Sequence, residues 1–308
     1  MKIIITDKID LVPEHDKVLR AIPDIKVYDD TNNDPKVIIK RIKEAEVATA
    51  NYIDFPSEVL KQAKKLKYVI VPAVGYDWVD VKEATEQGIK VINCPSFNSQ
   101  AVAEHAIGLM LAVKRRIVEA HNSILEGKWT PKILTGTEVM GKHLVTVGYG
   151  NIGKRVCKLA EGLGMSVAHI DSETTVDAFD MHIAEADVLV LCLPLNDSTK
   201  GIINRKRISL LKPNVVLINV ARGLVVDQDA LYEALTKGNI AGAGIDVFPN
   251  DNSITKPSAE ILKFAKLSNV VATPHLAYNT EGSIFRLGEQ ILASIQSCID
   301  DKPINVVN

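Results

Sequence analysis

Residues 144–171 read LVTVGYGNIGKRVCKLAEGLGMSVAHID, and the fold turns on them. The apolar run Leu144–Val147 predicts a buried strand. It passes directly into Gly148, Gly150 and Gly153, spaced G-x-G-x-x-G, and then into a helical pattern that ends near Gly164. A second apolar run, Ser166–Ile170, closes on Asp171. Strand, glycine turn, helix, strand and terminal acid, in this order, make a dinucleotide-binding βαβ unit. Gly148 serves the tight turn, Gly150 the approach of a pyrophosphate to the backbone, and Gly153 the close packing of helix on strand. The helix N-terminus at Asn151 offers N–H groups and a positive dipole end to phosphates. Asp171, 18 residues beyond Gly153, stands where a carboxylate accepts hydrogen bonds from the adenosine ribose.

Downstream, the alternation of strands and helices continues. Asp187–Leu193, Val215–Val220, Ala241–Ile245 and Val270–Thr273 predict four more strands. Each ends on distinctive residues: Pro194; Ala221-Arg222-Gly223; Asp246 and, a few positions on, Asp251; and Pro274-His275. In a parallel sheet these ends share one edge with the glycine loop. An arginine, carboxylates and a histidine thus gather around a dinucleotide pocket.

Upstream, Lys2–Ile5, Lys26–Tyr28, Val47–Ala50, Tyr68–Val71 and Ile89–Ile92 predict strands. Helical spacing covers Asp34–Glu46, Ser57–Lys65 and Val79–Gln87. Repeated βα units imply a second parallel sheet covered by helices. The turn Val71–Asp77 follows its strand at once, so the N–H groups of Val74 and Gly75 either hold an anion or form an ordinary βα turn. After the loop Asn93–Gln100, one long helix is expected from Ala101 to about Leu125. Val102, Ala106, Leu109, Val113 and Ile117 line one apolar face, with Ile107, Met110 and Leu111 in a second set. Such a helix is buried on both sides, between domains or between subunits.

Composition narrows the function. A chain of 308 residues is long enough for two domains. A formal net charge of −2 provides no electrostatic footprint for nucleic acid or an anionic membrane. The four cysteines are scattered without a C-x-x-C pair, which implies reduced thiols and no metal site. No segment approaches the ~18 consecutive apolar residues of a membrane span, and the N-terminal apolar run is too short for a signal peptide. A cytoplasmic protein is expected.

Hydride transfer to a 2-oxo acid asks for three protein groups. The substrate carboxylate needs a fixed cation, and the rigid fork of Arg suits it. The carbonyl oxygen needs a proton donor, which histidine supplies in the useful pH range. That histidine gains from a carboxylate that orients it and favours its charged form. Arg222, His275 and Asp251 can fill these roles. Each also has a plainer reading: His275 as a helix cap, Arg222 as surface charge, Asp251 as a solvated acid with Glu260 or no carboxylate beside the histidine.

The segments VGYGNIG, INVARG, GAGIDVF and ATPHLAYNT, with VGYDWVD and AVAEHAIGLML upstream, strongly resemble the D-isomer-specific 2-hydroxyacid dehydrogenases over nearly the whole chain. The resemblance implies an α/β protein of two doubly wound parallel-sheet domains, Rossmann-like, with the cofactor domain inserted into the substrate domain. Residues 1–97 and 277–308 would form the substrate domain and residues 98–276 the NAD-binding domain, with the active site in the cleft between them. It implies an NAD-dependent enzyme in which Arg222 anchors substrate and His275 is the acid/base. Asn51, Phe97, Val74 and Gly75 would contact the substrate. Asn151 and Ile152 would lie at the pyrophosphate, Asp171 at the ribose, and Leu193, Pro194 and Thr199 near adenosine. Asp246 and the main chain of Val220 and Ala221 would orient the nicotinamide. A homodimer built around the long helix is implied as well.

Two features depart from the family pattern. Asp251 stands where Glu usually partners the histidine, one methylene shorter. The segment after Asp171 is also short, which alters the adenine side. Two alternatives share the fold: an NADH-sensing protein like the C-terminal-binding corepressors, and a formate- or phosphite-oxidising relative. The formate enzymes carry Gln at the position of Asp251.

Overall fold

The structure is a computed structural model and describes residues 1–129, 131–251 and 256–308. The chain divides into two compact units, residues 1–98 with 279–308, and residues 99–278.

The first unit runs β1 (Ile3–Ile5), α1 (Pro13–Arg20), β2 (Ile25–Val27), α2 (Pro35–Ile42), β3 (Val47–Thr49), α3 (Ser57–Leu60), β4 (Tyr68–Val71), α4 (Val81–Glu86) and β5 (Lys90–Asn93). All five strands pair in parallel in the order β2-β1-β3-β4-β5. The central strands β1, β3 and β4 are buried along their whole length, as parallel strands covered on both faces require. The chain returns to this unit with α12 (Glu281–Ile299), which packs on α1 and β4. It then ends beside β5, where Val307 donates its N–H to Val91.

The second unit carries α5 (Ser99–Lys114), α6 (Ile117–Leu125), β6 (His143–Val147), α7 (Asn151–Gly162), β7 (Ser166–Ile170), α8 (Val176–Glu185), β8 (Val188–Leu191), α9 (Arg205–Leu210), β9 (Val216–Asn219), α10 (Gln228–Thr236), β10 (Gly242–Ile245), α11 (Ala259–Ala265) and β11 (Val270–Ala272). Its six strands are parallel in the order β11-β10-β9-β8-β6-β7. The parallel α/β sheets are as the strand spacing implied, and the two doubly wound domains are as the family resemblance implied. The short segment after Asp171 holds only α8 before β8 begins, which leaves β7 at the sheet edge.

Two local expectations are corrected and one helix is added. The helix expected over 101–125 is two, because Arg116 adopts a left-handed conformation (φ 53°) between α5 and α6. The break is held from outside the helix. The Lys114 carbonyl accepts from Thr137 N–H at 2.8 Å, and the Arg116 guanidinium grips Glu119 and the Ile133 carbonyl. The helix expected over Ser57–Lys65 stops at Leu60, since Leu60, Ala63 and Leu66 are buried at a period of three. The chain accordingly continues in i→i+3 turns, Ala63 N–H to Leu60 and Leu66 N–H to Ala63. Helix α1, absent from the sequence reading, begins on Pro13 and buries His15 and Leu19.

The long-helix region also splits in character. Helix α5 buries Val102, Ala106, Leu109 and Met110 against α7, β9 and β10 of its own unit. Helix α6 buries nothing, and its Ile117, Ile124 and Leu125 are exposed, the last at 73%.

Candidate active site

The strand order of the second unit reverses between β6 and β8, the kind of switch point outside whose strand ends ligands bind. The glycine turn emerges there. Gly148 has φ +100°, and a Cβ on it would lie 2.5 Å from the Cys192 carbonyl oxygen. A Cβ on Gly153 would lie 2.1 Å from the Gly148 carbonyl oxygen, so helix and turn can meet only without side chains. At Gly150 the same test meets nothing within 4 Å.

The start of α7 differs from the helices that follow it. In α8, α9, α10 and α11 the side chains of Thr175, Asn204, Asp227 and Ser258 accept a first-turn N–H. Helix α7 has Gly150 as its cap and no side-chain acceptor. Its first turn, at Asn151 and Ile152, therefore presents N–H groups and a dipole end to a phosphate. Open space over Gly150 and a helix start without a side-chain cap fit a pyrophosphate.

Asp171 lies at the exposed end of β7. Hydrogen bonds from Thr174 Oγ1 (2.9 Å) and Glu173 N–H (3.0 Å) keep its carboxyl below the usual range and aim it. Tyr149 of the glycine turn stacks on His169 with ring centroids 3.6 Å apart. After β8, the loop from Leu193 is braced by Thr199 Oγ1, which donates to the Pro194 carbonyl at 2.7 Å. Asn196 Oδ1 accepts the N–H groups of Ser198 and Thr199.

Adjacent strands β9, β10 and β11 bring the chemically distinctive residues to neighbouring ends. After β9, Asn219 pins the turn through Val220 and Ala221 to Arg222. Its Oδ1 accepts Ala221 N–H, and its amide donates to the Arg222 carbonyl at 3.0 Å. Gln228 at the start of α10 donates to the Gly223 carbonyl at 2.8 Å. Gly223 lies against the backbone of Phe248 and Pro249, where a Cβ would come within 2.2 Å. The arginine turn is thus packed on the loop that leads to Asp251.

His275 has a left-handed backbone (φ 51°), costly for a non-glycine residue, and the surrounding chain holds it there. Its N–H donates to the Asp246 carbonyl at 2.8 Å. The Asp246 side chain, 1% exposed, accepts from Thr273 Oγ1 (2.5 Å), Leu276 N–H (3.0 Å) and Ala277 N–H (3.0 Å), with His105 Nε2 3.5 Å away. Burial pushes its pKa up. The hydrogen bonds from His105, Thr273, Ala277 and Leu276 outweigh that and hold it below the usual carboxylate range. The His275 Nδ1 atom lies 3.1 Å from Asp251 Oδ2, which also accepts Phe248 N–H at 2.9 Å. The shorter acid reaches the histidine because its own loop is folded inward by that bond.

In the first unit, Asn51 follows β3. Its N–H donates to Asp7 Oδ1 at 3.2 Å and its amide donates to the Lys8 carbonyl at 2.8 Å. The turn at Val74 and Gly75 is held by Asn93, whose amide donates to the Val74 carbonyl at 2.8 Å. Phe97 is buried, and its carbonyl accepts from Arg286 Nε at 2.8 Å.

Several contributors escaped the sequence reading. Asp7, Asn93, Asn219, Gln228, His105 and Thr273 all hold turns that carry candidate residues. Asn219 and Thr273 carry a weak signal, polar residues at the ends of apolar strands. His105 is a lone polar ring among the small apolar residues of α5. Asp7 gave no signal, because its partners are 44 and 45 residues away. Among the described residues no group of His, Cys, Asp and Glu is arranged to hold a metal ion, and no helix is long and apolar enough to cross a membrane.

The family model described as D-isomer specific 2-hydroxyacid dehydrogenase, NAD binding domain, matches residues 107–277, more than half of the chain. The hydroxypyruvate reductase of Thermotoga maritima is 35% identical over 300 residues, covering 94% of this chain and 90% of its own. The glyoxylate reductase of Korarchaeum cryptofilum is 37% identical over 275 residues, covering 84% and 81%. The D-lactate dehydrogenase of Aquifex aeolicus, solved with NAD and lactic acid, superposes with a TM-score of 0.89 at 29% identity over 99% of each chain. By sequence, fold and glycine-turn geometry together, this chain belongs to the D-isomer specific 2-hydroxyacid dehydrogenase family, and NAD is its cofactor.

Proposed function

We propose that the chain is an NAD-dependent dehydrogenase that reduces a small 2-oxo acid to the D-2-hydroxy acid and runs the reverse reaction. The observation that carries this reading is the pairing of His275 Nδ1 with Asp251 at 3.1 Å, on a turn that Asp246 locks. With Nδ1 against the carboxylate, Nε2 is the ring atom that gives a proton to the carbonyl oxygen in reduction and takes it from the hydroxyl in oxidation. Arg222 holds the substrate carboxylate through a charge-assisted fork, with its turn fixed from Asn219 and Gln228. Val74, Gly75, Asn51 and Phe97 of the first unit contact the same substrate.

NAD, when bound, supplies or receives the hydride. Gly148, Gly150, Gly153, Asn151 and Ile152 hold its pyrophosphate, Asp171 its ribose, and Leu193, Pro194 and Thr199 its adenosine. Val220, Ala221 and Asp246 orient the nicotinamide. The relatives named for hydroxypyruvate and glyoxylate favour acids of two or three carbons as substrates here. Residues 1–97 with 277–308 act as the substrate domain and 98–276 as the cofactor domain. The exposed apolar residues of α6 support a homodimer, and the four free cysteines support a reducing cytoplasmic setting.

The test is loss of NADH absorbance with glyoxylate, hydroxypyruvate, pyruvate and bulkier 2-oxo acids. Turnover of at least one short acid is expected. Tight NADH binding without turnover of any acid would favour the NADH-sensing alternative, and reduction of NAD by formate or phosphite would favour the other.

A further inference from the structure

The first unit buries a carboxylate that the proposed reaction does not use. Asp7 follows β1 and is fully buried. Its Oδ2 accepts Tyr52 N–H at 2.8 Å and its Oδ1 accepts Asn51 N–H at 3.2 Å. These are consecutive backbone groups in the loop after β3. Strands β1 and β3 are sheet neighbours, and the chain order reverses between them, so this is the switch point of the first sheet.

The surroundings make the carboxylate rigid. Its neighbour Thr6 takes part in a closed bond pattern with Thr49 at the end of β3: Thr6 N–H donates to Thr49 Oγ1 at 3.1 Å, and Thr6 Oγ1 donates to the Thr49 carbonyl. From α2, the nearly buried Arg41 donates to the Thr6 carbonyl at 2.6 Å and is itself fixed by Asp30. Burial raises the Asp7 pKa to about 6 against the opposing pull of Tyr52, Asn51, Thr6 and Arg41. A buried acid is costly to keep, and here both of its oxygens are spent on the Asn51–Tyr52 peptide groups. On the other side of the loop, Trp78 Nε1 donates to the Ala50 carbonyl at 3.0 Å. The backbone that carries Asn51 is therefore clamped from two elements.

We propose that Asp7 is a positioning residue for the substrate: its carboxylate sets the Asn51–Tyr52 backbone and so the direction of the Asn51 carboxamide. This rests on the reading that Asn51 contacts the 2-oxo acid. Asp7→Asn is the sharp perturbation, because an amide presents one acceptor and one donor to two N–H groups that both need acceptors.

The experiment is steady-state kinetics on the full-length protein with an accepted 2-oxo acid. It compares the parent, Asp7→Asn, Asn51→Ala and the double variant, with NADH affinity by fluorescence measured on each. Asp7→Asn should raise KM for the oxo acid by about tenfold or more while lowering kcat less, as expected when a contact is misplaced. NADH affinity, set in the other unit, should stay within about twofold, a margin typical of independent sites. In the Asn51→Ala background, Asp7→Asn should add less than about twofold.

An unchanged KM in a folded Asp7→Asn protein, or the same multiplier with and without Asn51, overturns the assignment of Asp7. An unchanged KM in Asn51→Ala overturns Asn51 as a contact and Asp7 with it. A parent that reduces no 2-oxo acid overturns the functional reading itself. Should Asp7→Asn not fold, Asp7→Ser takes its place in the same comparison: it removes the buried charge and leaves a hydroxyl that accepts one of the two N–H groups.

Discussion

The two sheets share a plan and use it in opposite ways. In each, the first strand of the unit lies between the second and third, and the crevice at the reversal opens at the strand ends. In the second unit the chain leaves β6 through a three-residue glycine turn and enters a helix whose first turn no side chain caps. That switch point is left open, with free space over Gly150. In the first unit the chain leaves β1 through Thr6 and Asp7, and the carboxylate turns inward to satisfy backbone N–H groups after β3. That switch point is closed by an anion of the protein's own. Topology supplies the crevice in both, and the residues after the first strand decide what fills it.

The largest expected effect comes from the arginine turn. A charge-assisted hydrogen bond contributes about 1.5–3 kcal/mol, so Arg222→Ala should lose ~10–100-fold in kcat/KM for the oxo acid. Arg222→Lys should recover part of that, and NADH affinity should change little in either. Near-normal efficiency of the alanine variant on every accepted substrate would remove Arg222 as the anchor.

Next is the open switch point. A Cβ at Gly150 meets no protein atom, so Gly150→Val should leave thermal stability close to that of the parent. It should weaken NADH binding on the order of tenfold, about 1.4 kcal/mol. A fall in Tm with unchanged NADH affinity would mean that the space over Gly150 is not where the pyrophosphate lies.

The closed switch point has a pH signature. Asp7 is raised from 3.8 to about 6, chiefly by burial, so the folded state holds this proton more tightly than the unfolded chain does. Its favourable contribution is complete below the unfolded value and is lost as pH rises through about 6. A shift of this size corresponds to roughly 3 kcal/mol. Urea titrations between pH 3.5 and pH 7, the range about these two values, should show this component in the parent and not in Asp7→Asn. Parallel curves for the two proteins would show that Asp7 does not titrate in that range.

A smaller effect is expected at the histidine. Asp251 orients His275 without touching the substrate in the proposed reaction, so Asp251→Asn should lower kcat by about tenfold or less, as for loss of one ordinary hydrogen bond. Asp251→Glu should retain most of the activity. Unchanged kcat in Asp251→Asn would leave it a loop acid only. The smallest effect on catalysis should come from Gly288→Ala in α12, where a Cβ would lie 2.1 Å from the His15 ring. Overpacking there should lower stability by about 1–3 kcal/mol with kcat/KM unchanged at permissive temperature.

What the sequence by itself determined was everything carried by local spacing. The period of the apolar runs located the strands of both sheets. The glycine spacing with Asp171 located the tight turn after β6 and the edge strand β7, because each of those residues works through its own neighbours. Arg222 and His275 were legible as chemistry at strand ends, since a parallel sheet puts all such ends on one edge. Three things needed the tertiary structure. The break at Arg116 depends on Thr137 and Ile133 reaching back to it. The choice of Asp251 over Glu260 beside His275 depends on a loop folded by Phe248 N–H. The buried Asp7 depends on β1 and β3 lying side by side. At Arg116 and Asp7 the deciding partners are remote in sequence. At Asp251 the folding bond is local, to Phe248 three residues before it, but the histidine it then reaches lies on another strand end, and no residue pattern within one segment encodes such a contact.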